Sequence, residues 1–204
     1  PNSLSEVIFI LFMLSSTAFD GLHETQTWAL LFWQDGFALL SPWLGSNIVT
    51  AYATLKPLYL LYQTLALLLS PWLYLAIFAA CLWLMKRITA SAESLTQLIY
   101  RFSYSLLPIV VVYHFTHYFT LLLGQGAQLP GLFFDMSWVW HTQVAAMLLG
   151  HIASVYVAHE ATRRLYPSPT AVWRSQLPLL MLMMAFTVFG LWILAQPLGA
   201  DVLR

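Results

Sequence analysis

Apolar runs long enough to cross a bilayer recur along this chain, separated by short polar breaks. A spanning helix needs about 20 mostly apolar residues, and five segments approach that length: 5–20, 58–85, 105–124, 138–159 and 177–196. The first is the shortest and turns polar at its end, through Ser15, Ser16, Thr17 and Asp20. The second contains Pro71, a kinking residue that neighbouring membrane helices tolerate. The third has Pro108 in its first turn, where a missing N–H costs little. The stretch Thr27–Leu44 sets Trp28, Trp33 and Trp43 among apolar residues, a composition suited to the membrane interface. It reads as an interfacial or re-entrant helix that roofs a site, and residues 88–103 read as an amphipathic lead-in to the third span. The pattern predicts an all-α, polytopic transmembrane helix bundle of about five spans, forming a single domain over 1–204.

Composition agrees with that reading. The chain is 60% hydrophobic and 8% charged, against roughly 25% charged residues in soluble domains. Eight Lys/Arg balance eight Asp/Glu, which gives no basis for a nucleic-acid partner. A single cysteine, Cys81, excludes an internal disulfide framework and a Cys-rich metal site. Lys86, Arg87, Arg101, Arg163, Arg164 and Arg174 lie in the connectors after the second and fourth spans, with only Lys56 and Arg204 on the other side. The positive-inside rule then places connectors 86–104 and 160–176 in the cytoplasm and the C-terminus in the periplasm or outside. The chain opens on Pro1, with no basic n-region before the first apolar run. The expectation is a piece of a longer protein without a signal peptide, completed by further N-terminal spans or a partner subunit.

The candidate chemistry is concentrated in Tyr113–Glu160, which holds five of the six histidines. Ionisable groups at membrane depth are expensive and face a protein interior or ligand rather than lipid. His114 and His117 are three apart and share a helix face. His151 falls at similar depth on the next, antiparallel span, so these three are the expected metal ligands. Asp20 joins them if the first span turns its polar end inward, as a further ligand or a general base. Three imidazoles and a carboxylate suit Zn or another divalent transition metal rather than Ca or Mg. Ser16, Tyr113 and Gln143 are candidates to hold ligands or substrate, together with Ser15, Thr17 and Tyr118. His141 and His159, near the ends of their span, read as hydrogen-bonded core residues, and His23 reads as a loop residue. Met181, Met183 and Met184 cannot all share one helix face and read as packing or lipid-facing residues rather than a Cu(I) site. Gly150, with Ala145, Ala146, Ala153 and Ser154, gives the fourth span a small face for close packing.

The runs SSTAFDG, YHFTHYFTLLLGQGAQL, QVAAMLLGHIASVYVAHEAT and SQLPLLMLMMAFTVFGLWILAQP resemble the bacterial polytopic membrane proteins known as fenitrothion hydrolase-like. The resemblance spans most of the chain, with little in residues 25–100. It implies hydrolysis of organophosphorus triesters, and by matching positions it points to Asp20, His114, His117 and His151, then His159 and Gln125. It also implies further spans before the Ser/Asp segment. The function expected is therefore a membrane-embedded, metal-dependent hydrolase of an apolar ester or phosphotriester, with substrate arriving from the lipid bilayer. The alternative is a non-enzymatic subunit binding heme b or copper for electron transfer or metal handling. His114 or His117 with His151 would supply one axial pair for heme.

Overall fold

The computed structural model describes residues 3–36, 38, 42–43, 48–126 and 136–196, with side chains for all of these except 34–36, 48–51, 120–126, 136 and 194. Helix α1 is Leu4–His23, with Ser3 at its N-cap, Glu6 in the first turn and His23 in the last, a charge order that suits the helix dipole. A short helix α2, Gln26–Leu30, is capped by Thr25, whose hydroxyl accepts from Trp28 N–H, and passes into a π-helical turn, Leu31–Gly36. Helix α3, Ile48–Thr89, runs unbroken through Pro57 and Pro71. Its 42 residues would measure about 63 Å at the usual rise, roughly twice the hydrocarbon thickness. It stops where Ala90 turns to a left-handed φ of 50° and Ser91 N–H bonds back to Lys86 O at 3.2 Å, the six-to-one bond of a Schellman cap.

Helix α4, Leu95–Ser103, opens with a capping box between Ser94 and Gln97 and buries Leu98 and Phe102, one turn apart. A 3-10 turn, Tyr104–Leu106, leads into α5, Leu107–Gly126. Helix α6 is Met136–Leu165, and α7, Pro169–Leu194, starts with proline behind the N-cap Ser168. Among the described residues, five helices are long and apolar enough to cross a membrane. The protein is an integral membrane protein, an all-α bundle.

The spans close into a ring: α1 packs on α3 and α5, α5 on α6, α6 on α7, and α7 on α3. The core gathers Leu11 and Leu14 of α1, Phe78 and Leu82 of α3, Phe102 of α4, Ile109 of α5 and Leu179 and Met183 of α7. Close approach of α5 and α6 depends on Gly150, where a Cβ would stand 2.7 Å from Val112 Cγ2 and 3.3 Å from Pro108 O. Only 11% of the apolar window of α3 is buried, so this helix gives most of its circumference to lipid. Its exposed Leu65, Leu68, Leu69, Trp72 and Leu73 need no protein partner in a bilayer.

Several expectations change in detail. The first span remains the shortest of the five, but it is a full 20-residue helix, because it continues through Gly21, Leu22 and His23. His23 is therefore its last helical residue and not part of a loop. The Trp-rich segment is helical up to Gly36 and lies against α3 through Trp28 on Tyr62 (ring centroids 4.8 Å) and Trp33 on Tyr52 (5.3 Å). Most of its remainder, 37 and 39–41 with 44–47, lies outside the described residues, as do connector 127–135 and residues 197–204. Met181 and Met184 face outward while Met183 is buried in the core.

Candidate functional site

Helices α1 and α5 run parallel, and their polar residues match step for step. Thr17 faces His114 and Asp20 faces His117, each pair 97 residues apart in sequence. A spacing of three on one helix meets a spacing of three on the other, so both contacts fall along one seam. Higher on the same seam His117 Nε2 donates to Asp20 Oδ2 at 2.5 Å, with the two side chains 24% and 45% exposed. His23, one turn beyond Asp20, places Nδ1 3.7 Å from Asp20 Oδ1. One carboxylate thus stands between two imidazoles. His117 Nδ1 has no hydrogen-bond partner among the described residues, and Tyr118 presents its ring edge-on to the imidazole at 5.0 Å.

Lower on the seam the chemistry is quieter. Thr17 Oγ1 donates to Met13 O at 3.0 Å and lies 2.9 Å from His114 Nδ1, which is also 3.3 Å from Val110 O. His114 is thereby a hydrogen-bonded packing residue of the α1–α5 contact. His151 sits on the far side of α5, where Nδ1–H donates to Met147 O at 2.7 Å and the ring meets Tyr113 edge-on at 6.0 Å. Its Nε2 is buried without a hydrogen-bond partner among the described residues.

The expected trio of His114, His117 and His151 is therefore not gathered at one point. Among the described residues no three His, Cys, Asp or Glu side chains stand where they could hold a metal ion. His114 and His151 each place Nδ1 against the carbonyl four residues back on their own helix, which fixes where each ring points.

The other candidates are dispersed. Tyr113 OH donates to Phe186 O and so ties α5 to α7. Gln143 Nε2 donates to Thr116 O at 2.8 Å, tying α6 to α5. Ser16 donates to Met13 O at 3.2 Å within α1. His159 accepts from Gln176 Nε2 at 2.5 Å near the opposite end of α6, away from Asp20. His141 bonds to Ser137 O at 2.6 Å on an exposed face. The side chain of Gln125 lies outside the described residues.

Two hollows flank the His117–Asp20 pair. The central one, roughly 70 Å³, is lined by all five spans. Its walls are mostly apolar, including Leu14, Met147, Phe186 and Phe189, with His117, Thr17 and Thr116 as the polar exceptions. The second is an open polar cleft of roughly 380 Å³ between α1, α3 and α5, lined by Ser16, Asp20, His23, Gln63, Thr64 and Tyr118 among others. His117 lines the first and its partner Asp20 lines the second, so the pair connects a small apolar chamber to a polar one.

Sequence reasoning missed Gln63 and Thr64 and set His23 aside as a loop residue. The adjacent polar pair in the apolar run LLYQTLALLL was a readable signal, as was the three-residue step from Asp20 to His23. One observation about His151 yields a direct test. Burying a polar atom without a partner costs free energy, so His151→Met, which removes the orphaned Nε2, is expected to unfold no earlier than wild type. Denaturant unfolding in detergent micelles measures this, and a loss above about 2 kcal/mol would contradict the packing role assigned to the ring.

The fold and this seam define a polytopic helical membrane protein with a carboxylate–imidazole pair at a small internal chamber. Comparison with protein-family models, curated proteins and solved structures found no match to this chain.

Proposed function

We propose that this protein is a membrane-embedded hydrolase of apolar, uncharged esters or phosphotriesters, with His117 as general base and Asp20 as the residue that orients it. The observation that carries the reading is the 2.5 Å His117–Asp20 contact on the wall of a mostly apolar chamber. Because Nε2–H is committed to the carboxylate, Nδ1 carries the lone pair. In the reaction, Nδ1 takes a proton from water as the water oxygen attacks the carbonyl carbon or phosphorus. Asp20 stabilises the imidazolium that forms. The bond to the leaving oxygen then breaks, and His117 returns the proton to that oxygen, which departs as an alcohol or phenol. This is the division of labour of a base and its orienting acid, with the two ring nitrogens exchanged relative to the serine-protease arrangement.

No step is routed through a metal, because His114, His117 and His151 do not converge in this geometry. Among the described residues no Lys or Arg lines either hollow, which favours uncharged substrates over anionic ones. The basic ends of α3 and α6 support a bacterial inner-membrane orientation with those ends in the cytoplasm and Asp20 toward the periplasm.

The test is turnover by the purified protein in liposomes. p-Nitrophenyl butyrate and diethyl p-nitrophenyl phosphate are expected to release nitrophenolate, whereas the dianion p-nitrophenyl phosphate is not. EDTA treatment is expected to leave the rate unchanged. Failure to turn over any neutral ester by the folded protein would overturn the reading, and loss of activity in EDTA restored by Zn would overturn its metal-free mechanism.

A further inference from the structure

At the opposite end of the bundle the loop after α3 and the end of α6 enclose a second polar hollow, open and roughly 550 Å³. Thr89, Ser91, Gln97 and Tyr166 offer it hydroxyl and amide donors, and Thr89 and Tyr166 are themselves linked, O to O, at 2.9 Å. Its charged lining residue is Glu93, which meets Arg101 only at 3.9 Å, with both side chains partly exposed. A contact that long between solvated groups holds weakly.

No Lys or Arg lines the hollow itself among the described residues; the cations of the elements that build it are neighbours of its lining in sequence, and Arg101 reaches the lining residue Glu93. Lys86 and Arg87 occupy the turn of α3 just before Thr89, Arg101 lies on α4, and Arg163 and Arg164 precede Leu165 on α6. Arg163 and Arg164 share one carboxylate, Glu160, at 3.9 and 3.0 Å. Lys86 and Arg87 have no carboxylate partner among the described residues, and Arg87 lies 5.1 Å over the Trp83 ring. The charge excess is therefore positive and points to an anion. Beside the hollow, Trp83, Leu84 and Ile88 on the same end of α3 are exposed, a surface for acyl chains rather than for a free, water-soluble phosphate.

We propose that this hollow binds the phosphate headgroup of an anionic phospholipid, with its acyl chains along the lower face of α3. Glu93 then competes with the phosphate for Arg101. Basic pockets between helices near a membrane surface recognise headgroups in this way.

Native mass spectrometry of the purified full-length protein in detergent tests the site, using phosphatidylglycerol, phosphatidylcholine of matched chains and soluble glycerol 1-phosphate as probes. Phosphatidylglycerol is expected to be retained at about tenfold lower concentration than phosphatidylcholine, and removal of Lys86, Arg87 and Arg101 by alanine to cost about fivefold per cation. Glu93→Gln is expected to tighten phosphatidylglycerol binding, an effect that damage to the fold would not produce. Equal retention of the two lipids, no tightening in Glu93→Gln, or displacement of the lipid by glycerol 1-phosphate at comparable concentration would each overturn the proposal. None of these readouts involves ester hydrolysis, so the site stands or falls apart from the reading of Asp20 and His117.

Discussion

His117→Ala is expected to lower turnover of a neutral aryl ester by about 10²- to 10⁴-fold, the range associated with loss of a positioned general base. Asp20→Asn is expected to act in the same direction. An amide in place of the carboxylate still accepts the Nε2–H bond but no longer stabilises the imidazolium. Because the two residues act as one unit across a 2.5 Å contact, the double variant is expected to lose little more than His117→Ala alone. Initial rates in liposomes, with circular dichroism to confirm helix content, measure all three. His114→Gln and His151→Met serve as internal controls and are expected to keep turnover within a few-fold of wild type. Full activity in His117→Ala would remove the proposed catalytic role, and a loss in His151→Met matching that of His117→Ala would restore the converging-histidine scheme expected from the sequence.

The second large effect is expected at Gly190, on the wall of the central chamber. A methyl group there would stand 2.5 Å from Tyr113 Cε1 and 2.8 Å from Cζ. The ring cannot yield freely, because its hydroxyl is fixed on Phe186 O and its far side packs on His151. Gly190→Ala is therefore expected to cost about 1–3 kcal/mol, the usual penalty for overpacking. Tyr113 must then either lose its bond to α7 or move into the chamber that His117 lines. Turnover is expected to fall together with stability, and Gly190→Ala with Tyr113→Phe, which removes the hydroxyl nearest the new methyl, should recover part of both. Unfolding midpoints and initial rates of the two variants measure the coupling, which would be absent if α7 simply shifted away.

The spans were legible because about 20 apolar residues in a row have few alternatives to a membrane helix. Their limits were less so. Helix α3 extends back to Ile48 through Thr50, Thr54 and Lys56, polar residues ahead of the expected span 58–85 that an emerging helix end tolerates. Within the site, the three-residue spacing of His114 and His117 correctly gave them a shared face, and the polar end of α1 does reach it through Thr17 and Asp20.

What sequence could not provide was the occupation of each ring. His23, His114, His141 and His151 all place Nδ1 within 3.3 Å of the carbonyl four residues earlier. Four of the six histidines thus find a partner on their own helix, a solution open to an imidazole almost anywhere in a span. Such a bond leaves Nε2 to meet a ligand but fixes the direction in which it points, so similar depth alone does not bring histidines to one ligand. The same limit hid His151's true neighbour: depth placed it near His117, but rotation of α6 set it against Tyr113.

The two kinds of histidine carry different evolutionary constraints. A ring whose hydrogen bonds stay within its own helix can be replaced by any side chain of suitable size without a compensating change elsewhere, so positions such as 141 and 151 are free to drift singly. The pair on the α1–α5 seam has no such freedom, since each member leaves a stranded partner when it changes alone. In lineages descended from this chain, positions 20 and 117 are expected to be kept or lost together, and a sequence with one but not the other would mark a protein that has abandoned the seam.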